Sequence, residues 1–237
     1  MDFMSCLTGV VSMVNDFLWN QLLLILLVGT GIWYTVNLNF VQVRGFKEGL
    51  RRVFGGLFNK VDKADNEGMS QFQALTTAVA AQVGTGNIVG AATAIAAGGP
   101  GAIFWMWVSA FFGMSTIYAE AVLAQKHKRI GADGIITGGP VYYIKSAFKG
   151  TFGSFLAGLF AIFIIFALGF MGNAVQANSI SDAFQNAFNI PAFYVGIVVA
   201  ILSFAIFSGG MGRIARVTEA IVPLMACFYI VGSVAIM

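Results

Sequence analysis

Charge is scarce in this chain of 237 residues: Asp, Glu, Lys and Arg make up 10% of it, against roughly 25% in an average soluble domain. Hydrophobic residues fill 58%, and the mean hydropathy is +0.84. So few charges cannot cover the surface of a soluble protein of this size. That excludes a cytosolic globular enzyme, a disordered chain and a nucleic-acid binder. Cysteine is nearly absent. Cys6 and Cys227 lie far apart in sequence and form neither a disulfide framework nor a metal-ligand cluster. The single histidine, His127, sits among Lys126, Lys128 and Arg129 and reads as a solvated surface residue. Of the few prolines, Pro100 and Pro191 fall at helix starts, where the missing N–H costs nothing. Pro223 falls inside an apolar run and predicts a kink. No catalytic constellation appears, so an enzyme is not expected. The N-terminus lacks a basic flank and a small-residue cleavage site, so the first apolar run reads as a membrane span, not a signal peptide.

What is abundant is apolar length. Runs of about 17–25 residues span a bilayer as helix, and six candidates occur, at about 17–36, 72–97, 100–125, 155–179, 191–207 and 217–237. The expected fold is an all-α integral membrane protein with six transmembrane helices. The charges sort accordingly. All 13 Lys and Arg residues fall in the connections after the first, third and fifth runs, and none elsewhere. Cytoplasmic loops carry the Lys/Arg excess, which predicts a multi-pass protein of the cytoplasmic membrane with its N-terminus outside. In the first connection, Phe40, Val43, Phe46, Leu50, Val53 and Phe54 recur at helical spacing among basic residues. They predict an amphipathic helix on the inner surface, favoured over a solvated loop. The chain stops inside an apolar run, which reads as an unfinished protein.

The second run carries the informative motif, Gln82-Val83-Gly84-Thr85-Gly86-Asn87-Ile88-Val89-Gly90. Glycines around Thr85 weaken the helix by about 1 kcal/mol each relative to alanine. A break here would turn N–H groups toward an anion and carbonyls toward a cation. The spacing Gly86-x-x-x-Gly90 equally fits a helix-packing face, and both readings stand. In the fourth run, Gly169, Gly172, Asn173 and Gln176 form a stripe edged by Phe170. Its amides suit a polar ligand or interhelical hydrogen bonds. Glu120 lies a turn from a basic loop, and a structural ion pair is favoured over proton relay. Trp105 and Trp107 read as an interfacial aromatic belt.

Several stretches resemble one known family. They are Ser70-Gln71-Phe72-Gln73-Ala74-Leu75-Thr76-Thr77, Val83-Gly84-Thr85-Gly86-Asn87-Ile88, Gly98-Gly99-Pro100-Gly101-Ala102-Ile103-Phe104-Trp105-Met106-Trp107, Phe112-Gly113, Tyr118-Ala119-Glu120-Ala121 and Gly138-Gly139-Pro140-Val141-Tyr142-Tyr143-Ile144. The family is that of the alanine or glycine:cation symporters, the sodium–alanine symporters. The resemblance implies one extra N-terminal span and amphipathic segment (1–70), followed by the first five-helix repeat (71–237) of an inverted-repeat fold like that of the neurotransmitter:sodium symporters. The second repeat would be absent, making this an N-terminal half. The implied function is sodium-coupled symport of alanine or glycine, with sodium as coupling ion and no other cofactor. The alternative is a truncated, transport-inactive membrane protein or assembly partner. By the same resemblance, the substrate would meet Thr85, Gly86, Phe170, Gly172, Asn173 and Gln176. Sodium would meet Asn87 and the carbonyls of Ala80 and Val83.

Overall fold

The computed structural model describes residues 3–58, 70–131 and 136–237. They form helices joined by short turns, with one minimal hairpin. The chain enters as α1 (Phe3–Phe17), passes through a π-helical segment (Leu18–Leu22) and continues as α2 (Leu23–Asn37). An elbow leads into α3 (Val41–Arg44) and α4 (Phe46–Phe58). The broken pair α5 (Gln71–Gln82) and α6 (Thr85–Gly98) precedes the long α7 (Gly101–Lys126). Strands β1 (Arg129–Ile130) and β2 (Ile136–Thr137) pair antiparallel before α8 (Pro140–Ala147). Helix α9 (Thr151–Ile164), a second π-helical segment (Ile165–Gly172) and α10 (Asn173–Phe188) form one continuous rod. Helices α11 (Ala192–Phe207) and α12 (Gly210–Ile236) complete the order.

Among the described residues, four helical rods are long and apolar enough to cross a bilayer: Met4–Asn37, Gly101–Lys126, Thr151–Phe188 and Gly210–Ile236. The pair Phe72–Gln82 and Thr85–Gly98, bent by 51°, makes a fifth if counted as one span. The sixth apolar run, Ala192–Phe207, is helical but only 16 residues long. At 1.5 Å per residue it reaches about 24 Å, short of the ~30 Å hydrocarbon core. Hydropathy alone also misplaced two boundaries. The first rod starts well before residue 17, because Ser5, Thr8, Ser12 and Asn15 lower the hydropathy of α1 without breaking its helix. The fourth rod extends past 155–179 at both ends, from Gly150 to the left-handed Asn189 (φ 56°).

The packing is that of a membrane protein. The most buried residues are small: Ala157, Ser115, Thr35 and Ala215 are at most 2% exposed. Large side chains such as Trp105, Phe193 and Phe204 point away from the protein. Small residues let helix backbones approach where no hydrophobic force separates protein from lipid. The α2–α7 seam shows how. A Cβ on Gly31 would lie 2.9 Å from Phe112 Cβ, so glycine alone permits this approach. Beside it, Ser115 Oγ donates to Gly31 O (2.9 Å) and contacts Thr35 Oγ1 (2.9 Å). Gln42 Nε2 reaches over from α3 to Thr35 Oγ1 (3.0 Å), while Gln42 Oε1 is buried with no hydrogen-bond partner among the described residues.

The first connection is helical over α3 and α4 and carries both apolar and basic side chains there. Phe40, Val43, Phe46 and Leu50 are exposed, and Arg51 and Arg52 bind Glu48 at 3.3 and 2.8 Å. Lys60 and Lys63 lie outside the described residues. Two sequence expectations fail nearby. Glu120 forms no ion pair among the described residues. Its charge is felt instead by Tyr143 of α8, whose phenol is held above its usual range by burial first, then by the charge of Glu120 and by Tyr34. His127 is half-buried. Its Nδ1 donates to Leu123 O (2.9 Å) and so closes the C-terminus of α7 rather than standing free in solvent.

Candidate functional site at a helix break

The break between α5 and α6 begins with a well-made helix start. Ser70 caps α5: its hydroxyl accepts from Gln73 N (3.1 Å), and Gln73 Oε1 accepts from Ser70 N (3.2 Å). This is a capping box. Gln73 also donates through Nε2 to Glu219 Oε2 on α12 (2.9 Å), and Thr77 meets Thr218 (3.1 Å). Helix α5 is therefore fixed to α12 by polar contacts. Helix α6 packs elsewhere, on α7 and α10. The two halves of the broken helix answer to different neighbours.

Val83 and Gly84 are extended (φ/ψ −97°/102° and −131°/179°) and separate the halves. Their backbone groups are redirected. Gly84 N–H donates to Asn87 Oδ1 at 3.4 Å instead of to Ala80 O. Asn87 N–H donates to Gly84 O (3.1 Å) instead of to Val83 O. The carbonyls of Ala80 and Val83 thus lose the i+4 donors that a continuous helix would give them. Thr85 opens α6, and its N–H (3.4 Å) and Oγ1 (3.0 Å) both donate to Gln176 Oε1 of α10. Glycine at 84 is favoured by proximity, not by its dihedral angles: a Cβ there would meet Gln176 Nε2, the movable end of a side chain, and displace it. An ideal Cβ on Gly86 or Gly90 meets nothing within 4 Å. Among the described residues no helix comes against the Gly86-x-x-x-Gly90 face, and the helix does break at Val83–Gly84.

Of the expected site residues, the structure gathers Ala80, Val83, Thr85, Gly86, Asn87 and Gln176 around one break. The others from the fourth rod are not brought to it by hydrogen bonding. Asn173 Nδ2 donates to Gly169 O of its own rod (3.0 Å). Phe170 lies against Phe166 (5.9 Å) and is 65% exposed. A Cβ added at Gly172 would meet Ala167 O and Leu168, again within the rod. Phe170 and Gly172 belong to the π-helical segment. Such a bulge is frequent at functional sites and rotates Gln176 relative to a regular helix. Sequence reasoning missed two polar seams, Gly31–Thr35–Ser115 and Gln73–Glu219. The small residues Gly31 and Thr35, four apart, carried a signal for the first. Glu219, close to the last basic connection, gave none for the second.

What the break offers is chemically simple. Bare carbonyls and an amide oxygen suit a hard monovalent cation, and the N-terminus of α6 suits a carboxylate. No group of His, Cys, Asp and Glu among the described residues is arranged to hold a metal. A set of apolar helices long enough to cross a bilayer, with one broken pair whose break is polar and partly exposed, defines a multi-pass membrane protein. The chain belongs to the sodium:alanine symporter family, whose sequence profile matches residues 4–237. It is 44% identical over 238 residues to the sodium/alanine symporter AgcS of Methanococcus maripaludis, covering 100% of this chain and 51% of that one. It is 41% identical to the probable sodium/glutamine symporter GlnT of Bacillus subtilis (94% of this chain, 45% of that one). It is 42% identical to the amino-acid carrier protein AlsT of the same organism (95% and 46%). The chain spans about half the length of the curated relatives it matches.

Proposed function

We propose that this chain forms the first half of the transport site of a sodium-coupled importer of alanine or glycine in the cytoplasmic membrane. The observation that carries the reading is the diverted backbone at Val83–Gly84, with the N-terminus of α6 held by Gln176 through Thr85. The Gln176 amide oxygen stands where a substrate carboxylate oxygen would sit. On binding, the carboxylate takes the N–H groups of Thr85 and Gly86, and Gln176 turns to the substrate's ammonium group. Asn173, Phe170 and Gly172 line the opposite side. Sodium is held by the carbonyls of Ala80 and Val83 and by Asn87, one turn from the carboxylate. Cation and anion then stabilise each other, which couples the two gradients.

In this reading 1–70 is an added N-terminal span with its surface helix, and 71–237 is a five-helix repeat. The short α11 counts as the sixth span, and the N-terminus faces outside. The anchoring of α5 to α12 and of α6 to α7 and α10 supports rocking of one half of the broken helix against the other. Relatives are named for alanine and for glutamine. A site opened by Gly84 and Gly86 favours the smaller substrate. The test is uptake of labelled alanine by cells expressing the protein, competed by glycine and by glutamine. Competition by glycine at lower concentration than glutamine is expected. Stronger competition by glutamine would overturn the assignment to small amino acids.

A further inference from the structure

The elbow between α3 and α4 and the flank of α7 enclose a groove of about 610 Å³. Gln42, Arg44, Phe46, Arg52, Met114 and Tyr118 are among the residues lining it. Its two ends differ in chemistry. At the elbow lie Arg44 and Arg52, flanked by Lys47 and Arg51. Glu48 is the one carboxylate among them, and its charge is shared between Arg52 (2.8 Å) and Arg51 (3.3 Å). Arg44 has neither a side-chain hydrogen bond nor an ion pair among the described residues and is exposed. Gln42 Nε2 is held by Thr35 and Arg52 Nε by Glu48, which leaves Arg44 and the terminal nitrogens of Arg52 as the groove's cationic donors. Along α7 the wall turns apolar. Met114 and Tyr118 are one turn apart, both about half exposed, on a rod apolar enough to cross a bilayer. Exposed Phe40, Val43, Phe46 and Leu50 continue that surface along the elbow.

An uncommitted arginine in a cationic recess, continuous with an apolar wall, matches one kind of molecule: an anionic headgroup attached to an acyl chain. We infer that the α3–α4 elbow binds an anionic phospholipid, its phosphate on Arg44 and Arg52 and its chains along Met114 and Tyr118. Clusters of Lys and Arg beside a membrane span attract anionic lipid, and here one such cluster opens onto a shaped groove. The inference depends on the chain being a membrane protein and is independent of what the chain transports.

The experiment is native mass spectrometry of the purified full chain in detergent micelles. Phosphatidylglycerol or phosphatidylcholine with identical acyl chains is added, with or without inorganic phosphate. Phosphatidylglycerol is expected to bind about fivefold more tightly or better, and Arg44→Gln to remove about that factor. Arg44→Lys should keep most of it, and Lys128→Gln, in a different connection, should leave it unchanged. Equal affinity for the two lipids, or an Arg44→Gln protein that binds like the original, would overturn the inference. So would displacement of the lipid by millimolar phosphate, which would mark a site for free anions. Equal loss in Arg44→Gln and Arg44→Lys would trace the effect to the elbow's shape and overturn the charge argument.

Discussion

At the scale of single residues, the break turns on the close approach of Gln176 to position 84. Gly84 leaves room for Gln176 Nε2, and Gln176 in turn holds the first N–H of α6. Gly84→Ala would push the amide away. We expect alanine KM to rise roughly threefold to tenfold, the worth of about one hydrogen bond, with protein levels in the membrane retained. An unchanged KM would contradict the role given to this contact. Asn87 has a different task. Its amide oxygen accepts from the N–H of Gly84 at 3.4 Å, a long contact, and in the proposed site the same oxygen would meet sodium. Asn87→Ala should raise the sodium concentration for half-maximal uptake while leaving alanine KM at saturating sodium nearly as it was. Sodium dependence identical to that of the original protein would remove Asn87 from the ion site.

At the scale of elements, helix seams decide stability. Gly31 faces Phe112 across the α2–α7 seam with no space for a methyl group, whereas Gly90 on α6 faces open space. Gly31→Ala should destabilise the bundle by about 1–3 kcal/mol through overpacking. Gly90→Ala should be neutral, or stabilising by about 0.5–1 kcal/mol through helix propensity. Thermal unfolding of both variants in the same detergent checks the contrast, and equal midpoints would contradict it. The same comparison shows what was legible in the sequence. The pattern Gly84-Thr85-Gly86-Asn87 announced a weak point, because glycine and a capping amide are local signals. That Gly86 and Gly90 face no neighbour among the described residues was illegible, because a small-residue spacing does not say which helix comes near. Likewise Asn173 and Gln176 share one stripe. Only Gln176 reaches the break, while Asn173 turns its amide back to Gly169 O of its own rod, a choice of partner that spacing alone does not show. Hydropathy found the rods but not their lengths, since polar residues of α1 and α10 lower hydropathy while continuing the helix.

At the scale of the whole molecule, the fold presents small residues inward and large apolar ones outward, the arrangement a lipid solvent requires. It also divides its broken helix between two anchorages, α12 on one side and α7 with α10 on the other. A ligand that bridges the break therefore bridges two parts of the bundle. If sodium and the amino-acid carboxylate meet there, each must strengthen the other's binding by the same factor. The most direct test is the equilibrium affinity of the purified protein for labelled alanine, measured across sodium concentrations and again with choline as the cation. The account predicts that alanine affinity climbs with sodium and is largely lost in choline, with the climb flattened in Asn87→Ala. Alanine binding of the same affinity in sodium and in choline would contradict it.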